Sequence, residues 1–99
     1  MTEIRCKRVR FYLRGDEEIF FGWAQKIPAV KKVFGELDEI VLSINSSIID
    51  DTSLRELIAL LYRYNLPLQQ LAIFENPENQ EWFNDKNKFW HNEVFSNNG

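Results

Sequence analysis

Few side chains in this sequence could act as a nucleophile or a general base. His91 is the only histidine and Cys6 the only cysteine. A Ser-His-Asp or Cys-His arrangement would therefore need Cys6 or a serine to be brought to His91 by the fold. A histidine between Trp90 and Asn92 is more typical of packing or surface positions than of catalysis. We predict a protein that is not an enzyme, and catalysis through His91 is kept as an alternative.

The carboxylates allow a metal site but do not require one. Asp50 and Asp51 could bind a hard cation together with Asp38 or Glu39. The turn lacks the alternating ligand spacing of a calcium loop, and capping of the next helix accounts for at least one of the two aspartates. Cys6 has no second cysteine for a metal site or disulfide, and none of the four glycines forms a G-x-G phosphate loop. We therefore predict no metal and no cofactor.

The helix that would position Asp50 and Asp51 is the strongest structural signal. An apolar stripe at i, i+3, i+4 and i+7 predicts it: Leu54, Leu57, Ile58 and Leu61. Capping residues at 50–53 mark its start, and Ser53 with Glu56 has the spacing of a capping box. Asn65 and the following Pro67 mark its end.

Strands are predicted on both sides of this helix. Residues 4–13 alternate between apolar and polar side chains, which is typical of a half-buried strand. Two short apolar runs, at residues 40–44 and 71–74, have the composition of strands buried on both faces of a parallel sheet. Strand, helix and strand in that order imply a parallel crossover. The predicted fold is a small α/β domain of βαβαβα order with a three-stranded, mainly parallel sheet packed by helices.

Residues 16–34 permit two interpretations. Apolar residues near helical spacing predict one kinked or two short helices, interrupted at Pro28 and closed by Gly35. Alternatively, residues 18–23 contain strand-forming side chains and could pair with the first strand as a hairpin across Gly15. We favour the helix.

The C-terminal segment is unusually aromatic. Asn76 followed by Pro77 predicts a helix start, and Asn84-Asp85 predicts a break into two helical pieces. A terminal helix covering the sheet would bury Phe83, Trp90 and Val94. Trp82 or Phe89 could instead stay exposed as anchors for a partner, because aromatic residues are frequent in interface hot spots.

Charge and composition limit the classes of partner. Residues 1–14 carry five basic side chains and one acidic one, whereas the whole chain has a net charge of −3. We expect the basic segment to be compensated by acidic segments of the same chain, and we expect no nucleic-acid binding. The sequence shows neither a secretory signal nor an apolar run long enough for a membrane span, so we expect a cytoplasmic protein without membrane contact. Residues 1–95 are predicted to form a single domain and residues 96–99 a disordered tail.

Three segments give the chain a resemblance to the STAS domain, a small regulatory α/β module. They are Leu13-Arg14-Gly15-Asp16 after the first strand, the strand at 40–44, and Ile49-Asp50-Asp51-Thr52-Ser53-Leu54 before the helix. The family's turn has a serine or threonine after the first aspartate and a glycine before the leucine; here Asp51 and Ser53 occupy those positions. The resemblance implies a regulatory interaction module.

We therefore predict a non-catalytic protein–protein interaction or regulatory module with an unidentified protein partner and a possible homodimer. An alternative is an acidic immunity-type inhibitor that masks a basic nuclease or toxin. The candidate binding residues are Asp50, Asp51, Trp82, Phe89, Trp90 and His91.

Overall fold

The sheet is organised around one strand, β3 (Glu39–Ile44), which pairs with a neighbour on each side. The computed structural model describes residues 2–7 and 14–95. Strand β1 (Thr2–Lys7) pairs with one edge of β3 and β2 (Val30–Glu36) with the other, and both pairings are antiparallel. The chain forms a small compact α/β domain in which several helices pack against this three-stranded sheet.

The predicted parallel sheet is wrong, because the segment expected to be its last strand is not a strand. Residues Gln69–Phe74 form a 3₁₀ helix. Leu71 and Phe74, three residues apart, are buried, whereas Ile73 is 63 % exposed. Side chains three apart lie on the same side of a 3₁₀ helix, so this short apolar run buries one side of a helix rather than two faces of a strand.

Residues 16–34 divide between a helix and a strand. The helix prediction is confirmed for α1 (Arg14–Lys26), which ends before Pro28, and the hairpin alternative is wrong. The expected continuation of helix to residue 34 is also wrong, because β2 starts at Val30. A bulge near Lys31 interrupts the alternation of side chains along β2, so the sequence lacks the period-two pattern that would indicate a strand.

The central helix, α2 (Asp51–Arg63), follows a 3₁₀ turn at Ser46–Ile48 and has the predicted ends. The side chain of Asp50 accepts a hydrogen bond from the Ser53 amide at 2.8 Å, so Asp50 is the N-cap. The capping box of Ser53 with Glu56 is therefore wrong; the Ser53 hydroxyl is buried and accepts from the amide of Ala29. At the other end Asn65 adopts φ 57°, a left-handed conformation that terminates many helices.

Two short helices, α3 (Gln80–Phe83) and α4 (His91–Phe95), complete the fold. The predicted break at Asn84-Asp85 is confirmed. The Asn76 side chain accepts from the amides of Glu78 and Asn79, so it caps the turn that leads into α3. The apolar stripe of α2, the inner face of the sheet and the buried residues of the C-terminal segment form one core.

Candidate functional site

Two exposed aromatic rings from distant parts of the chain lie in contact on the surface. Tyr62, on α2, is 49 % exposed, and Phe89, in the loop before α4, is 57 % exposed. Their ring centroids are 4.5 Å apart with an interplanar angle of 64°, an edge-to-face arrangement. A single exposed ring is ordinary in a folded protein, but two paired rings leave a continuous apolar area open to a partner.

Phe89 is held in place by the ring that follows it. Trp90 is buried, and its centroid lies 5.0 Å from that of Phe89. The Trp90 indole nitrogen donates a hydrogen bond of 2.8 Å to the backbone carbonyl of Phe83. This bond ties the loop carrying Phe89 to the end of α3, so Phe89 has a fixed support.

A cation and an indole are connected to this pair of rings through Trp90. The guanidinium of Arg55 lies 4.0 Å from the ring centroid of Trp82, within cation–π distance. Trp82 is half-buried and meets Trp90 edge-on at 6.0 Å. Its indole nitrogen is buried and has no hydrogen-bond partner within the described ranges 2–7 and 14–95. Arg55, Tyr62, Trp82 and Phe89 are called the aromatic surface below.

His91 contacts two residues of the same C-terminal segment. Its Nε2 atom lies 2.7 Å from the Oδ1 of Asn84, across the loop between α3 and α4. Its ring also meets that of Phe95 at 5.3 Å. These contacts fix the ring between the two short helices.

The structure separates the two aspartates from the exposed ring pair. Asp50 caps α2, and its hydrogen bonds with Ser53 lower the pKa of its carboxyl group. Asp51 is exposed in the first turn of α2 and lies about 16 Å along the helix axis from Tyr62. Of the six predicted site residues, the fold gathers Trp82, Phe89, Trp90 and His91, and only Phe89 is strongly exposed. The residues that the structure describes contain no group of three potential metal ligands among His, Cys, Asp and Glu.

The expected charge compensation of the basic first segment is confirmed for Arg5. Its guanidinium lies 2.8 Å from a carboxylate oxygen of Glu3, 3.4 Å from Glu36 and 3.7 Å from Glu39, on three different strands. The hydrogen bond to Glu3 and the surrounding carboxylates raise the pKa of Arg5. Lys7 pairs with Glu39 in the sheet register. The positive charge of Arg5 is therefore neutralised by carboxylates of its own sheet.

Cys6 is fully buried beside Ile40 in the inner layer of the sheet. Burial raises the pKa of its thiol to about 11, so the thiol stays protonated at neutral pH. Its position and its protonation state are those of a small core side chain.

Arg55 and Tyr62 were missed by the sequence interpretation. Both lie on the side of α2 away from the apolar stripe, and they are two turns apart on one line of the helix. A tyrosine on the polar side of a helix, two turns from an arginine, indicates a possible binding surface. The ring that Tyr62 contacts, Phe89, is 27 residues further along the chain, so the pair itself is not visible in the sequence.

No protein family, curated protein or solved structure was found to match the chain. The resemblance to STAS modules therefore stays a prediction. Within the described ranges, every helix falls short of the length and apolar character that crossing a bilayer requires.

Proposed function

We propose that the protein is a non-catalytic module that binds a partner protein through the aromatic surface. The observation that carries the proposal is the contact between the half-exposed rings of Tyr62 and Phe89 at 4.5 Å. Aromatic and arginine side chains are enriched at protein interfaces and dominate their hot spots. An apolar pair beside the cation–π contact of Arg55 with Trp82 has this composition.

Rigidity favours a binding role over an incidental exposure. Tyr62 is on a helix of 13 residues, and Phe89 is supported by the buried Trp90. Rings that are already fixed lose little conformational entropy on binding, so more of the contact energy remains as affinity.

The charges around the rings indicate the chemistry of the partner. Arg63 follows Tyr62 and Lys88 precedes Phe89 in the chain, and both are exposed. Arg55 lies on the same line of α2 as Tyr62, so three cations occur in the segments that carry the rings, on a chain of net charge −3. We therefore expect a partner segment that combines apolar side chains with carboxylates.

Affinity purification from the native host tests the proposal. The bait is the wild type beside Phe89→Ser and Tyr62→Ser. Ile73→Ser is the matched control, because Ile73 is as exposed as Phe89 but lies on the 3₁₀ helix. Trp90→Ala is unsuitable as a binding probe because Trp90 is buried and hydrogen-bonded. Circular dichroism first establishes that each variant is folded.

We expect a stoichiometric partner protein that is retained by the wild type and by Ile73→Ser and lost from the other two. With the purified partner, each loss should correspond to an increase in Kd of about 30-fold, the size of a hot-spot effect of ~2 kcal/mol. A partner bound equally by all four baits, or no partner at all, would overturn the proposal.

A second function is favoured by the end of the β2–β3 hairpin. Leu37 is 99 % exposed there, and an adjacent depression is lined by Glu17, Asp38 and Glu39. An apolar side chain beside the exposed carboxylates of Glu17 and Asp38 suits an inhibitor that masks a basic nuclease or toxin. For that function, the association rate with the partner should fall steeply as the salt concentration rises. Leu37→Ala should raise the dissociation rate and so shorten the lifetime of the complex.

A further inference from the structure

The side of α1 next to its core-facing side is open. The core-facing residues are Phe20 and Ala24, and Ile27 directly after the helix is buried with them. A shallow depression of about 400 Å³ lies beside them. Four residues with the spacing i, i+3, i+4 and i+7 line it: Ile19, Gly22, Trp23 and Lys26. This spacing places them along one line of the helix, so α1 has two apolar side chains, a glycine and a lysine in line beside its core-facing side.

The depression has a protruding side chain at Ile19 and open backbone at Gly22. Ile19 projects from the surface and is 59 % exposed, so a partner that covers it gains the free energy of burying an apolar side chain. At Gly22, one turn along, an added Cβ would meet nothing within 4 Å, so the backbone is open to close approach. Trp23 packs against the core and forms a wall beside them.

The charges of α1 are self-complementary. Its first five residues carry Arg14 against Asp16, Glu17 and Glu18, a net charge of −2, and its last turn carries Lys26. Two such helices side by side in the same direction would place like charges together. In opposite directions, each lysine faces the acidic turn of the other helix, and the two helix dipoles also oppose each other favourably.

We infer that α1 is a self-association surface on which a second copy of the chain packs its own α1 in the antiparallel direction about a two-fold axis. With the axis between Phe20 and Phe21, Ile19 of each copy lies over Gly22 of the partner subunit. Lys26 then lies beside the first turn of the other helix, near Asp16 of the partner subunit. Each contact occurs twice, as the symmetry of an isologous dimer requires.

The size of the contact sets its strength. One helix of 13 residues presents less than the roughly 800 Å² per partner that is usual in stable interfaces. We therefore expect a dimer with a micromolar Kd that dissociates on dilution and weakens in high salt.

Sedimentation velocity over a concentration series reaching the millimolar range tests the inference. The wild type should pass from monomer to dimer, and Ile19→Asp should remain monomeric. Ile73→Asp is the matched control, because it places the same charge at an equally exposed isoleucine elsewhere, and it should dimerise like the wild type. A wild type that is monomeric throughout, or a dimer that survives Ile19→Asp, would overturn the inference.

A charge exchange tests the antiparallel direction. Lys26→Glu should weaken the dimer at least tenfold, whereas Lys31→Glu makes the same change of net charge at an exposed lysine of β2 and should not. Adding Asp16→Lys to Lys26→Glu should restore the dimer. Failure of the double variant to recover would overturn the proposed direction. All of these variants keep Tyr62 and Phe89, so the result is independent of the aromatic surface.

Discussion

The side-chain amide of Gln70 forms two hydrogen bonds with the backbone of Arg5. Its Oε1 accepts from the Arg5 amide at 3.0 Å, and its Nε2 donates to the Arg5 carbonyl at 2.6 Å. β1 is an edge strand, so these backbone groups would otherwise be open to pairing with another chain. Gln70 thus takes the place of a fourth strand at one point of the edge.

Replacing Gln70 tests this protection of the edge. Gln70→Ala should lower the free energy of unfolding by about 1 kcal/mol, because two exposed hydrogen bonds are lost. The Arg5 amide should also exchange its hydrogen faster, as measured by NMR. The neighbouring Gln69 is exposed, and Gln69→Ala is the control. Equal exchange of the Arg5 amide in both variants would contradict the role of Gln70.

The hairpin turn between β2 and β3 contains a strained leucine. Leu37 has φ 57° and is 99 % exposed, so its Cβ costs backbone strain and its side chain contributes little packing. Leu37→Gly should raise the free energy of unfolding by about 1 kcal/mol, since relief of strain exceeds the added entropy of the unfolded glycine. Leu37→Ala keeps the Cβ and should show no such gain. Denaturant titration of both variants provides the measurement, and a glycine variant no more stable than the alanine variant would refute the explanation.

The cap of α2 predicts a pH dependence. The pKa of Asp50 is lowered in the folded state by its hydrogen bonds with Ser53. The stabilisation from its charge is therefore present above the unfolded pKa of about 3.9 and is lost as pH falls through the folded pKa. Asn caps a helix without titrating, so the advantage of the wild type over Asp50→Asn should disappear in acid. Thermal melts from pH 7 to pH 2 measure this difference, and a constant difference over that range would exclude the mechanism.

Trp90 should be a structural residue. Trp90→Phe removes the indole N–H that donates to the Phe83 carbonyl, and a buried carbonyl without a donor costs about 1–3 kcal/mol. Phe89→Leu changes an exposed ring but keeps this hydrogen bond, so it should cost less than Trp90→Phe. Denaturation of the two variants checks the contrast, and equal losses would mean that the indole hydrogen bond contributes little.

The parts of the fold that the sequence predicts best have local causes. α2 carries its apolar stripe, its cap at Asp50 and its left-handed terminator at Asn65 within one segment. The strand at 40–44 is likewise an almost wholly apolar run, and it is the central strand of the sheet.

The direction of the strands could not be derived in the same way. The run Leu71–Phe74 is too short for its pattern to distinguish a buried strand from one buried side of a 3₁₀ helix. That single interpretation decided the parallel topology. β2 was hidden because two lysines and a bulge obscure its alternation.

Two of the four residues of the aromatic surface, Trp82 and Phe89, were predicted from the sequence. The aromatic composition of the C-terminal segment identified Phe89, but the ring that it contacts, Tyr62, belongs to another helix. Such a pair arises from packing between distant segments, which a local pattern does not contain. The prediction that residues 96–99 form a disordered tail concerns residues outside the described ranges. Residues 8–13 of the predicted first strand also lie outside them.

The position of β1 at the edge of the sheet has a consequence for the order of assembly. The β2–β3 hairpin joins neighbours in sequence across a short turn, so it can close early. Ile4, by contrast, pairs with Leu42, and at the outer edge of β1 the backbone of Arg5 is bonded by Gln70. During synthesis, β1 therefore leaves the ribosome well before β3 and Gln70, the two parts of the chain that pair with its backbone. We expect the docking of β1 to be a late step of folding, because long loops must close before its contacts form.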